Sequence, residues 1–119
     1  MKILFFMKKL VVLLVMFSIS LTFAQKTQNV KYTKQGDLTA AVYFYDNGSI
    51  QQEGTFNKDG QLHGIWTSYD VEGNKVAVGK YVDGKKVGKW YFWTKDNIVR
   101  EVEYSDSRIV NVTERKDVF

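Results

Sequence analysis

Glycines and aromatic residues recur along this chain at a spacing of about 24 residues, and that recurrence limits what it can fold into more than any other feature. Set beneath one another, Phe56–Asp70 (FNKDGQLHGIWTSYD) and Tyr81–Thr94 (YVDGKKVGKWYFWT) align Gly60 with Gly84, Gly64 with Gly88, Trp66 with Trp90 and Tyr69 with Trp93. The same shift backwards brings Tyr32–Asp46 into register through Gly36, Leu38, Val42, Tyr45 and Asp46. The stretches between, Asn47–Phe56 and Glu72–Tyr81, share Gly48/Gly73, Gly54/Gly79 and Phe56/Tyr81, and Asp96–Tyr104 is a decayed further copy. A unit this short cannot bury an apolar face alone, so copies must stack on one another.

Each unit reads as two short strands and two turns. Asp46-Asn47-Gly48, Glu72-Gly73-Asn74 and Asp96-Asn97 at one end, and Lys58-Asp59-Gly60 and Val82-Asp83-Gly84 at the other, tolerate the positive φ that tight hairpins demand. The runs between are rich in β-branched and aromatic residues, and after residue 25 no stretch holds a 3.6-residue apolar period. The expected fold class is all-β: a single-layer antiparallel meander, with strands near 28–34, 39–46, 50–57, 64–70, 75–82, 88–95, 98–105 and 108–115. Gly54, Gly64, Gly79 and Gly88 fall inside strands, where glycine is costly unless something approaches the backbone. The expected occupants are rings: Trp66 or Trp90 on one side, Phe56 or Tyr81 on the other. Gly60 and Gly84 complete the set of structural repeat glycines. With each ring hiding ~150–250 Å², about a dozen of them stand in for a two-layer core.

Residues 1–24, MKILFFMKKLVVLLVMFSISLTFA, have the order of a helical secretory signal peptide: Lys8 and Lys9, an apolar run, then a more polar stretch with cleavage expected after Ala24. Met7 would serve equally well as the start. The apolar run from Leu10 is short of the ~20 residues a spanning helix needs. With no cysteine there is no lipid attachment site, disulfide framework or thiolate metal site. The expectation is a repeat domain over residues 25–119, secreted or periplasmic, with no stable membrane span after cleavage. The chain has 17 Lys+Arg and 13 Asp+Glu; Lys2, Lys8 and Lys9 leave with the signal, so 14 bases face 13 acids. That near-neutral balance argues against nucleic acid as a partner.

Glu53–Gly64 (EGTFNKDGQLHG) resembles the EGxWxNGxxHG block of the MORN repeat family, and Gly79–Gly88 (GKYVDGKKVG) is a second copy. Trp66 and Trp90 stand two places after the block, where the family usually has glycine, a variant similar to bacterial YwqK-type proteins often labelled antitoxins. The resemblance implies a hairpin-repeat sheet and a role as interaction scaffold, membrane-lipid binder or antitoxin-like neutraliser of a partner protein. Val87 replaces the histidine in the second copy, so no histidine site is shared between copies, and an export signal fits poorly with a cytoplasmic antitoxin.

The chemistry-bearing residues give no reason to expect catalysis, a cofactor or a metal. His63 is the one histidine and sits beside a turn. Glu53, Asp59, Asp70, Glu72, Glu101 and Glu103 could supply a carboxylate pair, but alternation puts Glu101 and Glu103 on one solvated strand face. Lys75, Lys80, Lys85, Lys86, Lys89 and Lys95 read as solubility and edge protection, or as an anionic-ligand patch. Counting back by twos from Phe119 gives no lipid-facing row, which argues against an outer-membrane barrel strand. Trp66, Tyr69, Trp90, Tyr91 and Trp93 form the candidate binding surface, with Trp90 and Phe92 on one face and Tyr91 and Trp93 on the other. The expected function is a non-catalytic, exported interaction or structural module at the cell envelope, with a protein or glycan partner. The alternatives are an antitoxin-like neutraliser and a glycan-binding module.

Overall fold

The computed structural model describes residues 29–116. They form eight strands: β1 (Val30–Gln35), β2 (Leu38–Phe44), β3 (Ile50–Phe56), β4 (Gly64–Tyr69), β5 (Lys75–Val82), β6 (Lys85–Trp93), β7 (Ile98–Ser105) and β8 (Arg108–Lys116). Among these residues there is no helix, and each strand pairs antiparallel with its sequence neighbours to give one open sheet in the order β1 to β8. The expected signal peptide, its cleavage after Ala24 and the terminal Phe119 lie outside the described residues.

The turns explain the meander. Four connections share one design, in which the first residue's N–H donates to the fifth residue's carbonyl: Tyr45–Ser49, Asn57–Gln61 and Asp70–Asn74 at 2.8 Å, and Thr94–Ile98 at 3.0 Å. In each the fourth residue is left-handed, and in the last one Asn97 (φ 58°) does what glycine does in the others. Asp70 shows how a side chain sets such a turn. Its Oδ1 accepts from the amides of Glu72 (3.0 Å) and Asn74 (2.8 Å), and these hydrogen bonds, that of Asn74 foremost, hold its carboxyl below the usual aspartate value.

β6 departs most from expectation, beginning at Lys85 rather than near 88. Asp83 (φ 47°) and Gly84 (φ 83°) are both left-handed, so the β5–β6 hairpin closes in two residues and the strand starts early. The corresponding connection from β3 to β4 is longer. Asn57 Oδ1 caps the amides of Asp59 and Gln61, and Leu62 then bridges back to Phe56.

One row crosses all eight strands without a break: Lys31, Val42, Glu53, Thr67, Val78, Tyr91, Glu101 and Thr113. On the opposite face the matching row runs Tyr32–Ala41–Gly54, then Trp66–Gly79, then Trp90–Val102–Val112. Its two gaps fall where an indole lies over a glycine. The β3–β4 ladder stops after Glu53↔Thr67, and the β5–β6 ladder skips Gly79. At each gap the indole donates to the residue after the glycine, Trp66 Nε1 to Thr55 O (2.9 Å) and Trp90 Nε1 to Lys80 O (3.2 Å), adding a side-chain donor where backbone pairing is interrupted.

The core follows this row. Ala41, Trp66, Trp90 and Val102 are buried in it, and Val99 is buried on the other face. A Cβ added at Gly54 or Gly79 would fall within the indole of Trp66 or Trp90. The expectation that rings occupy all four strand glycines therefore holds at Gly54 and Gly79 and is corrected at Gly64 and Gly88. No atom of another residue lies near the Cβ position of Gly88, and only Thr55 Oγ1 (2.8 Å) approaches that of Gly64. Those two glycines are needed for backbone shape, with φ of 94° at Gly64 and 70° at Gly88. Phe56 and Tyr81 pack edge-on against the indoles instead, at 5.1 and 5.0 Å.

Candidate functional site

The face that carries the tryptophans is an almost continuous field of rings. Tyr32 meets Tyr43 (6.5 Å between centroids), Tyr43 meets Trp66 (6.5 Å), and Trp90 is contacted by Tyr81, Phe92 (6.2 Å) and Tyr104 (5.8 Å). Lys86 Nζ lies 5.1 Å from the Trp90 ring centre and 5.0 Å from that of Tyr104, a cation resting on two π-faces. Between the tryptophans is a small cleft of about 180 Å³, with Gln52, Ser68 and Ala77 along its base and Tyr43, Phe56 and Tyr81 among its walls. Gln52 and Ser68 are direct register partners. This polar pair amid rings was not singled out by sequence. The signal was present, since each residue sits two places from a core position, Gln52 before Gly54 and Ser68 after Trp66, and so shares its face.

The five residues of the candidate surface divide between the two faces. Trp66 and Trp90 are 7% and 6% exposed, so they belong to the core and offer little ring area to a ligand. Tyr91 and Trp93 lie together on the opposite face, their ring centres 6.4 Å apart, and both are half-buried. Tyr69 is also half-buried. Its hydroxyl donates to Glu53 Oε1 (2.8 Å), which holds the phenol above its ordinary value.

Trp93 also lines a wider cleft, about 820 Å³, between the turns at Asp70–Asn74 and Thr94–Ile98. The preceding pair of turns at this end of the sheet is stitched together. Tyr45 donates its hydroxyl to Tyr69 O (2.7 Å), and both Ser49 Oγ and Asn47 Nδ2 donate to Val71 O (3.1 and 3.3 Å). No equivalent hydrogen bond joins the next pair among the described residues. The space there is lined by Trp93 with Asp70, Glu72, Asn74, Lys75, Lys95 and Asn97.

The remaining candidates have structural surroundings. His63 Nδ1 accepts from the Asp83 amide (3.2 Å) and lies 3.4 Å from Asp83 Oδ1, which ties the β3–β4 connection to the β5–β6 turn. Among the described residues no group of three His, Cys, Asp or Glu is placed to hold a metal ion. Glu101 is engaged by Lys89 (3.3 Å) and by the Thr113 hydroxyl (3.3 Å), and the pairing raises the lysine's pKa. The six lysines do not gather into one patch. Lys75 and Lys95 line the end cleft, Lys86 covers rings on the tryptophan face, and Lys89 pairs on the other face.

Comparison of the chain with protein-family models, with curated proteins and with solved structures returned no match.

Proposed function

We propose that this chain is an exported, non-catalytic interaction module, built from MORN-like hairpin repeats of about 24 residues and acting at the cell envelope. Residues 1–24 supply the export signal, and residues 25–119 present the sheet to a partner protein. The observation that carries this reading is an eight-stranded sheet that, among the described residues, has no second layer on either face and leaves apolar side chains such as Tyr32 and Ile65 exposed. A sheet ordinarily buries at least one face against another layer, so an uncovered one offers that role to a partner. The repeat reading is supported by the two Gly–Trp stacks, Gly54/Trp66 and Gly79/Trp90. Two measurements test it. The native protein is expected in the envelope or medium fraction with Gln25 at its N-terminus. A photo-reactive residue at Ile65 or Tyr32 is expected to crosslink one defined protein in living cells, while the same residue at the turn position Lys58 does not. Retention in the cytoplasm, or adducts at no sheet position, overturns the proposal.

A glycan-binding reading is favoured by one further feature, the end cleft in which Trp93 is flanked by amide and charged side chains. An indole edged with hydrogen-bonding groups suits a sugar ring. Retention on insoluble glycans that is lost in Trp93→Ala would establish this role, and equal retention of that variant would exclude it.

A further inference from the structure

The turns Tyr45–Ser49, Asp70–Asn74 and Thr94–Ile98 stand at one end of the sheet and match position for position. At the first junction the donors are the first, third and fifth residues of a turn, Tyr45, Asn47 and Ser49. The acceptors are the carbonyls of Tyr69, which precedes the next turn, and of Val71, its second residue. The second junction repeats this backbone. β3–β4 pairing ends at Gln52↔Ser68, one residue short of Tyr69, and β5–β6 pairing ends at Ala77↔Phe92, one short of Trp93. Trp93 and Lys95 therefore hold the two acceptor positions.

The side chains opposite them have changed character. Asp70, Glu72 and Asn74 now occupy the three donor positions. Asp70 and Glu72 are carboxylates, which only accept. Asn74 Nδ2 donates within its own turn, to Asp70 Oδ2 (3.2 Å). A row of donors has become a row of acceptors, and a cleft of about 820 Å³ lies between the turns, within the ~300–1,000 Å³ of small-ligand sites.

We propose that the hydroxyls of a neutral glycan take at this junction the place that Tyr45, Asn47 and Ser49 fill at the first, an assignment that rests on the glycan reading of the Trp93 cleft. A hydroxyl both donates and accepts. One sugar can thus donate to the Trp93 and Lys95 carbonyls and to the Glu72 carboxylate, and accept from the lysine ammonium groups that line the cleft. The half-buried indole of Trp93 offers its negative π-face to the C–H face of the ring. Charge selects the neutral class. Asp70 and Glu72 balance Lys75 and Lys95, so the cleft has no excess of either sign. A uronic acid would set its carboxylate beside Glu72, and an amino sugar its ammonium beside the lysines.

The test rebuilds the first junction's chemistry at the second. Glu72→Asn/Asn74→Ser places an amide and a hydroxyl at the third and fifth turn positions, where the protein's own side chains can donate to Lys95 O. Retention on insoluble cellulose or chitin is expected to fall at least about tenfold in this variant, with Trp93 untouched and the urea-unfolding midpoint not lowered. Glu72→Gln keeps the side chain's shape at an exposed position and removes a charge-assisted acceptor, so retention should weaken about threefold to tenfold. Should the double variant lose its fold, this single change decides. Alginate, a polyuronate, is expected to hold the protein at least about tenfold less well than the neutral matrix. Unmodified protein that passes through both neutral matrices overturns the glycan reading and this assignment together. Retention lost in Trp93→Ala yet unchanged in Glu72→Asn/Asn74→Ser or in Glu72→Gln overturns this assignment alone, and so does tighter binding to alginate.

Discussion

Replacing Gly79 by alanine tests whether an indole seated on a glycine is what holds this sheet. Gly79 lacks a left-handed φ, so alanine fits its backbone and the propensity change alone would stabilise by ~0.5–1 kcal/mol. Against this, the new Cβ would overlap the Trp90 ring, so ring or strand must move. If the structure yields in place, overpacking costs ~1–3 kcal/mol. If the ring leaves, burial of ~150–250 Å² is lost at ~25 cal/mol per Å², about 4–6 kcal/mol. The Lys80 carbonyl also loses its indole donor, worth ~0.5–1.5 kcal/mol. Because the cheaper response wins and is partly offset by propensity, Gly79→Ala is expected to destabilise by about 0.5–2.5 kcal/mol. Urea unfolding followed by circular dichroism measures it. A double-mutant cycle isolates the mechanism. In a Trp90→Leu background the smaller side chain can yield, and Gly79→Ala should cost less than about 1 kcal/mol. Additive effects, or an unfolding midpoint unchanged in Gly79→Ala, would refute the seated-indole account.

Three further outcomes follow from local geometry. Gly64→Ala should cost about 1–3 kcal/mol in urea unfolding, through a φ of 94° that an L-residue resists and the approach of Thr55 Oγ1; no ring is involved, so the loss should persist in a Trp66→Leu background. The Tyr69 phenol, held above 10.0 by donation to Glu53, contributes stability that is complete below that value and lost as pH rises through the higher folded value. Ultraviolet titration should show one tyrosine moving down in Glu53→Gln. Asp70 has the opposite sign: its depressed pKa supports folding above 3.8, and that support fades as pH falls through the folded value. Asp70→Ala should flatten this acid limb of the stability profile, and an unchanged limb would remove the turn-capping explanation.

The sequence displayed its strands clearly because turn chemistry and register agree. Gly48, Gly60 and Gly73 mark the turns, and the alternation of Trp90, Tyr91, Phe92 and Trp93 was legible since a pleated strand has one period. What the letters hid was the role of each glycine. Gly54 and Gly64 look alike in a linear pattern, yet one is a seat for a ring and the other a bend in the chain. Only the strand pairing separates them: Gly54 faces the gap in the β3–β4 ladder, whereas Gly64 starts β4 opposite Tyr81. The candidate surface failed to gather for a related reason. Residues paired by repeat spacing, such as Tyr69 and Trp93, share a face, but Trp66 and Trp90 were grouped with them by residue type alone.

The seated indole also explains where the sheet becomes incomplete. A single layer can make a core only if large rings lie flat over strands that contribute no side chain, which is what Gly54 and Gly79 allow. The arrangement must be resupplied by each next strand: Trp66 covers β3, Trp90 covers β5, and Tyr104 of β7 closes against Trp90. β8 brings no ring and no glycine, only Ile109, Val110 and Val112 standing in solvent beside the end of the row. Those three side chains lack the neighbour that every interior strand possesses.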